Sequence, residues 1–221
     1  MINLSKRLKE IANYIHEEDN ILDVGCDHAL LDIYLSNKYS KVVYASDLRE
    51  SALDMARINI KKYNADKVIL KCGNGIEPLK ECSGVNTIII SGMGYMSIIN
   101  ILRNINHTNI EKLVIQSNSN PEKVRKFILK KGFYIEDESV VLDRNIYYIV
   151  TSYKKGKKKY SKFEKEIGII TGKDLEKYID MEIKKNNILL SVVPKSYFFK
   201  RIEIKRKLNY LNKKKNSIIK Y

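Results

Sequence analysis

Five times in the first 131 residues, an apolar run ends in a small or polar turn and is followed by residues with helical spacing. That alternation constrains the fold more than any other feature, because it demands parallel strands joined by right-handed helical crossovers. The first unit sets the pattern. Ile21-Leu22-Asp23-Val24 is an apolar run broken at Gly25 and followed by Cys26-Asp27-His28, after which residues 29–35 regain helical periodicity. A strand that delivers its C-terminal end into a glycine turn marks the ligand-binding edge of an open α/β sheet.

The same reasoning applied along the chain predicts strands over 21–25, 41–46, 67–71, 85–90 and 111–116. It predicts helices over 4–15, 27–38, 48–63, 95–102 and 121–131. Phe133 to Leu142 and Ile146 to Tyr153 read as a hairpin turned at Asp143-Arg144-Asn145. The expectation is an α/β, Rossmann-like domain over residues 1–153, with seven strands, one of them antiparallel. Lys154 to Lys159 is a basic linker, and residues 163–170 are ambiguous. Residues 173–190 and 196–219 read as two helices, which Pro194 prevents from being one. A second, coiled-coil-like α-helical hairpin domain is therefore expected over 154–221.

Charge separates the same two parts. The net charge is +15, yet residues 1–150 hold 20 Lys/Arg against 19 Asp/Glu, while residues 151–221 hold 21 against 7. Codon bias toward lysine would act on both parts alike. The asymmetry points to a C-terminal part that contacts a polyanion through its phosphates. No apolar run reaches the length of a membrane span, and the first ten residues have no signal-peptide core. Three scattered cysteines and three scattered histidines argue against a disulfide framework and a zinc site. A cytoplasmic protein without metal or membrane partner is the expectation.

The first turn also narrows the ligand. A dinucleotide site would carry Gly-x-Gly-x-x-Gly there; this chain has one glycine, and Asp27 would repel a pyrophosphate. Carboxylates at Asp23 and Asp27, around Gly25 and Cys26, suit a cationic ligand with an amino acid part, which S-adenosylmethionine (AdoMet) is. Asp47, followed by Leu48, lies 22 residues after Gly25 at the end of the second strand, where an acid accepts hydrogen bonds from ribose. Asp47 could equally cap the following helix. Gly73-Asn74-Gly75 forms a loop that backbone can bring close to an adenine edge, although Asn74 also suits a plain turn.

Four pieces together carry a resemblance: Leu4-Ser5-Lys6-Arg7-Leu8, Asp23-Val24-Gly25-Cys26-Asp27-His28, Gly73-Asn74-Gly75 and Ser91-Gly92-Met93-Gly94. Their order and spacing resemble the bacterial tRNA methyltransferase family that forms N1-methyladenosine at position 22. The resemblance implies a class I AdoMet-dependent methyltransferase domain with a helical C-terminal domain that helps hold tRNA. It implies cofactor contacts from Arg7, Asp23, Gly25, Cys26, Asp27, Asp47, Leu48, Gly73, Asn74, Gly75, Ser91, Gly92 and Met93. Asp27 is the first catalytic candidate, as a carboxylate near the target N1, and contact with the AdoMet ammonium is the competing role. His28 would orient Asp27 or line the pocket, and Gln116 and Asn118 would read the adenine edge. Gly94 and Tyr95 are candidate contacts to the flipped base, with Tyr95 stacking on it or packing on the sheet. Lys157, Lys158, Lys159, Lys200 and Arg201 are candidate tRNA contacts. The chain departs from the family at Asn74, Tyr95 and Ser117, where members usually carry Asp, Gly and Pro. A monomeric enzyme acting on tRNA is expected. The alternatives are methylation of another RNA, or a non-catalytic RNA-binding protein on this scaffold.

Overall fold

The computed structural model describes residues 2–218, the His107 side chain excepted. The strands are β1 (Ile21–Val24), β2 (Val43–Asp47), β3 (Val68–Cys72), β4 (Thr87–Met93), β5 (Lys112–Ser117), β6 (Phe133–Asp143) and β7 (Ile146–Lys155). They form one sheet in the order β3-β2-β1-β4-β5-β7-β6. β7 is antiparallel to both neighbours, and the remaining pairings are parallel. The α-helices are α1 (Lys6–Asn13), α2 (Leu30–Tyr39), α3 (Glu50–Lys62), α4 (Tyr95–Ile101), α5 (Pro121–Lys130), α6 (Lys162–Ile167), α7 (Leu175–Val192) and α8 (Phe198–Ile218).

Side-chain alternation buries both faces of the sheet. Leu22, Ile88, Ile90, Leu113 and Ile115 belong to one core, with Ile98 of α4 and Val124 and Ile128 of α5. Ile21, Ile89, Val114 and Val150 belong to the other, with Ile11 of α1 and Leu31 and Leu35 of α2. The strand order reverses between β1 and β4, which opens a crevice beyond their C-terminal ends.

Three local expectations are corrected. α2 starts at Leu30 rather than Asp27, because Asp27 (φ 50°) and Ala29 (φ 55°) are left-handed and cannot continue a helix. β4 runs through Ser91-Gly92-Met93 rather than stopping at Ile90; its register against β5 shifts there, with Gly92 at φ 76°. No α-helix follows β3, only a 3-10 segment at Glu77–Glu81. The expected end of the last helix, Ile219, lies outside the described residues.

The C-terminal segment is fastened to the sheet before the helical pair begins. Arg125 of α5 and Glu138 of β6 are completely buried, with Nη2 to Oε1 at 2.5 Å. Arg125 Nη1 also donates to the Lys165 and Glu166 carbonyls, and Glu138 Oε2 accepts from the Ile169 backbone. Gly168 is required here: a Cβ would sit 2.0 Å from Glu138 Oε2. α7 and α8 then pair antiparallel around Ile179, Leu208 and Leu211. No helix among the described residues is long and apolar enough to cross a membrane.

Candidate active site

The β1–α2 turn is shaped by three left-handed residues in five: Gly25 (φ 82°), Asp27 and Ala29. The Gly25 and Cys26 amides both donate to the Ser46 carbonyl, which ties the turn to β2. Gly25 has a second reason to lack a side chain, since a Cβ would meet Met93 Cε at 2.1 Å. The turn leaves Asp27 and His28 half exposed, with His28 Nε2 3.5 Å from Asp27 Oδ2 and Arg49 Nη2 3.9 Å from Asp27 Oδ1.

Two cavities meet at this turn. The larger, about 710 Å³, is lined by Asp23, Gly25, Cys26, Asp27, His28, Asp47, Ser91, Gly92, Met93 and Asn118. Arg7, Arg49, Arg144 and Tyr148 close its remaining sides. The smaller, about 560 Å³, is lined by Asp47, Leu48, Gly73, Asn74, Gly75 and Ile101 among others. Gly25, Asp47, Arg49 and Met93 belong to both walls.

The electrostatics suit a cation. Asp23 is buried with Oδ1 unpaired, and burial, reinforced by Asp47, pushes its carboxyl up to about 7. Asp32, in the first turn of α2, is wholly buried with neither oxygen bonded; burial and then Asp23 hold it well above the usual range. Burial also raises the Cys26 thiol, with Asp32, Asp23 and Asp47 adding to it, so Cys26 stays protonated and is no nucleophile. Asp47 Oδ1 accepts from the Arg49 amide at 2.9 Å, leaving Oδ2 without a protein hydrogen bond among the described residues. Orphaned carboxylate oxygens beside a nucleoside-sized cavity fit a cationic adenosine ligand.

Several candidate residues sit elsewhere than expected. Gln116 is fully buried with both ends engaged: Oε1 accepts from Arg7 Nη1 at 2.7 Å and the Gly92 amide at 3.0 Å, and Nε2 donates to Asn118 Oδ1 at 3.0 Å. It positions the rim and cannot read a base. Asn118 stays exposed, with Nδ2 donating to the Gly92 carbonyl at 2.6 Å. Tyr95 lines neither cavity; it packs on the core with Lys123 Nζ 4.5 Å above its ring. Gly94, which precedes α4, lines neither cavity. Lys157, Lys158 and Lys159 follow the end of β7 that pairs with Phe133, at the opposite end of the sheet from the cavities. Arg201 is half-buried and donates Nη1 to the Leu190 carbonyl at 2.8 Å and to the Val193 carbonyl, closing the end of α7. Lys200 is exposed.

Sequence reasoning missed Arg49, Arg144, Tyr148 and Asp32. Arg144 lies in a two-residue turn between β6 and β7, left-handed at Arg144 (φ 48°) and Asn145 (φ 63°), and Tyr148 is near the start of β7 just beyond it. The β5-β7-β6 order carries that turn to the cavity, and local spacing holds no sign of it. Tyr148 lies beneath Arg7, 5.3 Å from its guanidinium carbon. Among the described residues there is no cluster of three or more potential metal ligands.

Sheet order, crevice and paired cavities define an α/β enzyme of the nucleoside-cofactor type, and residues 4–151 match the family model described as methyltransferase domain. Relatives among known proteins narrow this further. A Mycoplasma genitalium protein assigned as a tRNA methyltransferase is 30% identical, over 76% of this chain and 77% of that one. The tRNA (adenine(22)-N(1))-methyltransferase of Bacillus subtilis is 30% identical over 63% of this chain; the match spans 60% of that enzyme. The solved M. capricolum TrmK, in complex with S-adenosyl-homocysteine, superposes with a TM-score of 0.82 at 28% identity. It covers 96% of this chain and 98% of that one. The chain belongs to the tRNA methyltransferase family with the methyltransferase domain.

Proposed function

We propose that this chain methylates N1 of adenine 22 in tRNA, with AdoMet as methyl donor. The observation that carries the reading is the shared wall: the cofactor-shaped cavity and the larger, open one meet at Gly25, Asp47, Arg49 and Met93. Asp47 would hold the ribose, Leu48 and the Gly73–Gly75 loop the adenine ring, and Asp23, past the shared wall in the inner part of the larger cavity, the ammonium end. Bound there, AdoMet supplies an electrophilic sulfonium methyl group. The larger cavity would take the target adenine after it leaves its stack.

Neutral adenine N1 bears no proton, so the protein has none to remove before attack. Its task is to position the base and to stabilise the positive charge that builds on it. Asp27 would do this, exposed on the wall of the larger cavity with His28 beside it. Asn118 keeps hydrogen-bonding capacity toward the base edge. Tyr148, in place of Tyr95, offers the ring on which the adenine would stack. The part from 154 to 221 would grip the remainder of the tRNA by its phosphates, with Lys200 among the free cations. Lys157, Lys158 and Lys159 would act on distant phosphates only. We assign the activity to a cytoplasmic monomer.

The test is nucleotide-resolved mapping of methyl groups on total tRNA incubated with the protein and AdoMet. Methylation at adenine 22 is expected. Methylation of a different RNA, or AdoMet binding without transfer, would overturn the assignment.

A further inference from the structure

The tip of the helical pair exposes a cluster of large apolar side chains. Tyr197, Phe198 and Phe199 are consecutive, with Phe199 86% exposed. The Phe198 and Phe199 rings stand edge to face at 5.8 Å. Val192 and Ile188, at the facing end of α7, are exposed as well. An exposed patch of this kind on a monomer marks a contact surface.

The rings are carried on a rigid mount. The Tyr197 amide donates to the Pro194 carbonyl at 3.1 Å, and the Arg201 amide to the Tyr197 carbonyl at 3.0 Å. The Arg201 guanidinium crosses to the Leu190 and Val193 carbonyls, locking the end of α7 to the first turn of α8. A backbone fixed this way leaves only the side-chain torsions of the rings to be ordered on binding.

Charge decides what they bind. Residues 184–206 contain seven Lys or Arg and one acid, Glu203, which is itself paired with Lys162. Lys200 follows the three aromatics directly, and Lys195 precedes them by one serine. Aromatic rings set between cations match nucleic acid in which unstacked bases alternate with phosphates.

We propose that Tyr197, Phe198 and Phe199 stack on unpaired loop bases of the tRNA whose D-stem adenine is being methylated. The tip thereby recognises tRNA architecture rather than only its charge. This rests on the function proposed above, and it adds a ring-to-base contact to the phosphate grip assigned there to the whole hairpin.

The test measures dissociation constants for tRNA by fluorescence anisotropy over a range of salt concentrations, independently of turnover. Phe198→Ala/Phe199→Ala should weaken tRNA binding roughly ten-fold or more, with the salt slope unchanged. Phe198→Tyr/Phe199→Tyr should bind like the wild type, whereas Phe198→Leu/Phe199→Leu should not. Lys195→Ala/Lys200→Ala should lower the salt slope instead. KM for tRNA should rise in the alanine pair while kcat at saturation holds. The rings are exposed, so thermal melting should not move. A blunt RNA duplex should bind the wild type and the alanine pair equally. The proposal is overturned by equal tRNA affinity in wild type and alanine pair, by equal losses on tRNA and duplex, or by full rescue with leucine. It is also overturned if the alanine pair loses binding to vesicles of anionic phospholipid and keeps its tRNA affinity, which would make a lipid surface the occupant. A wild-type chain that binds tRNA but leaves adenine 22 unmethylated would sink the proposed function without touching the affinity comparison.

Discussion

Arg7 and Gln116, 109 residues apart in sequence, are joined by a 2.7 Å hydrogen bond at the rim of the larger cavity. Gln116 passes that link on to Gly92 and Asn118, so the first helix and the ends of β4 and β5 form one hydrogen-bonded rim. Arg7→Ala should lower kcat/KM for tRNA roughly 10- to 100-fold, the loss of one charge-assisted bond that leaves a buried amide under-satisfied. Arg7→Lys should recover only part of it, because lysine lacks the planar group that also covers Tyr148. Steady-state kinetics checked against an unchanged melting curve read this directly.

Asp27→Asn separates charge from shape. Asparagine tolerates the left-handed conformation as well as aspartate does, so the turn should persist. Turnover should fall by about 10² to 10³, the scale of one preorganised electrostatic contact. Calorimetry with AdoMet then divides the two roles of the carboxylate. An unchanged cofactor affinity assigns it to the target adenine, and a parallel loss assigns it to the cofactor.

If Asp23 holds the AdoMet ammonium as proposed, cofactor binding should depend on pH. Its carboxyl titrates near 7 in the folded chain against an ordinary 3.8. A folded state that holds a proton longer than the unfolded chain is stabilised by it below the folded value. The empty protein should therefore lose stability as pH rises from about 4 to about 7. A cationic ligand prefers the ionised form, so AdoMet affinity should strengthen as pH rises through 7 and level off above. Titrations at pH 6.5 in buffers of different ionisation enthalpy should show proton release on binding. A dissociation constant that is flat between pH 6 and 8.5 would contradict this role for Asp23.

Gly25→Ala should leave the sheet folded and damage the cofactor site. The new methyl group would displace Met93 from the shared wall and would sit at an unfavourable positive φ. Strain of about 1–2 kcal/mol at the binding turn corresponds to roughly ten-fold weaker AdoMet binding.

The buried pair gives a stability test. Glu138→Gln strips Arg125 of its carboxylate partner in an interior position and should cost about 3–5 kcal/mol in urea unfolding. Arg125→Met/Glu138→Leu should recover much of that, because two apolar side chains replace two desolvated charges.

The strand-turn-helix frame was legible because period-2 and period-3.6 apolar spacing survives in a single sequence, and Gly25, Gly73 and Gly92 sit at strand ends. The first turn pointed to AdoMet, and the resemblance added the tRNA substrate and the remaining site residues. Long-range partnering was not legible. Gln116 looked like a base-reading amide at a strand end, and only the fold shows Arg7 and Gly92 occupying it. Tyr95 looked available, but Lys123 and the core cover it. Tyr148 and Arg144 reach the cavity through strand order, which no window of sequence contains. α6 was a missed local signal: Ser161 and Glu164 form a capping box, and the Ser-x-x-Glu spacing stood in the sequence.

The fastening at Arg125 and Glu138 has a geometric consequence. It fixes residues 165–169 to the sheet edge, and α7 leaves from a root held by the bond between the Leu142 amide and Asp174. Each residue added to α7 and α8 would carry the tip about 1.5 Å further out. Under the contact proposed above the hairpin would act as a ruler: with a tRNA loop engaged at its tip, its length would select which nucleotide arrives at the cavity. Lengthening both helices by one turn should move methylation to a neighbouring position or abolish it, while leaving the chemistry of the cavity intact.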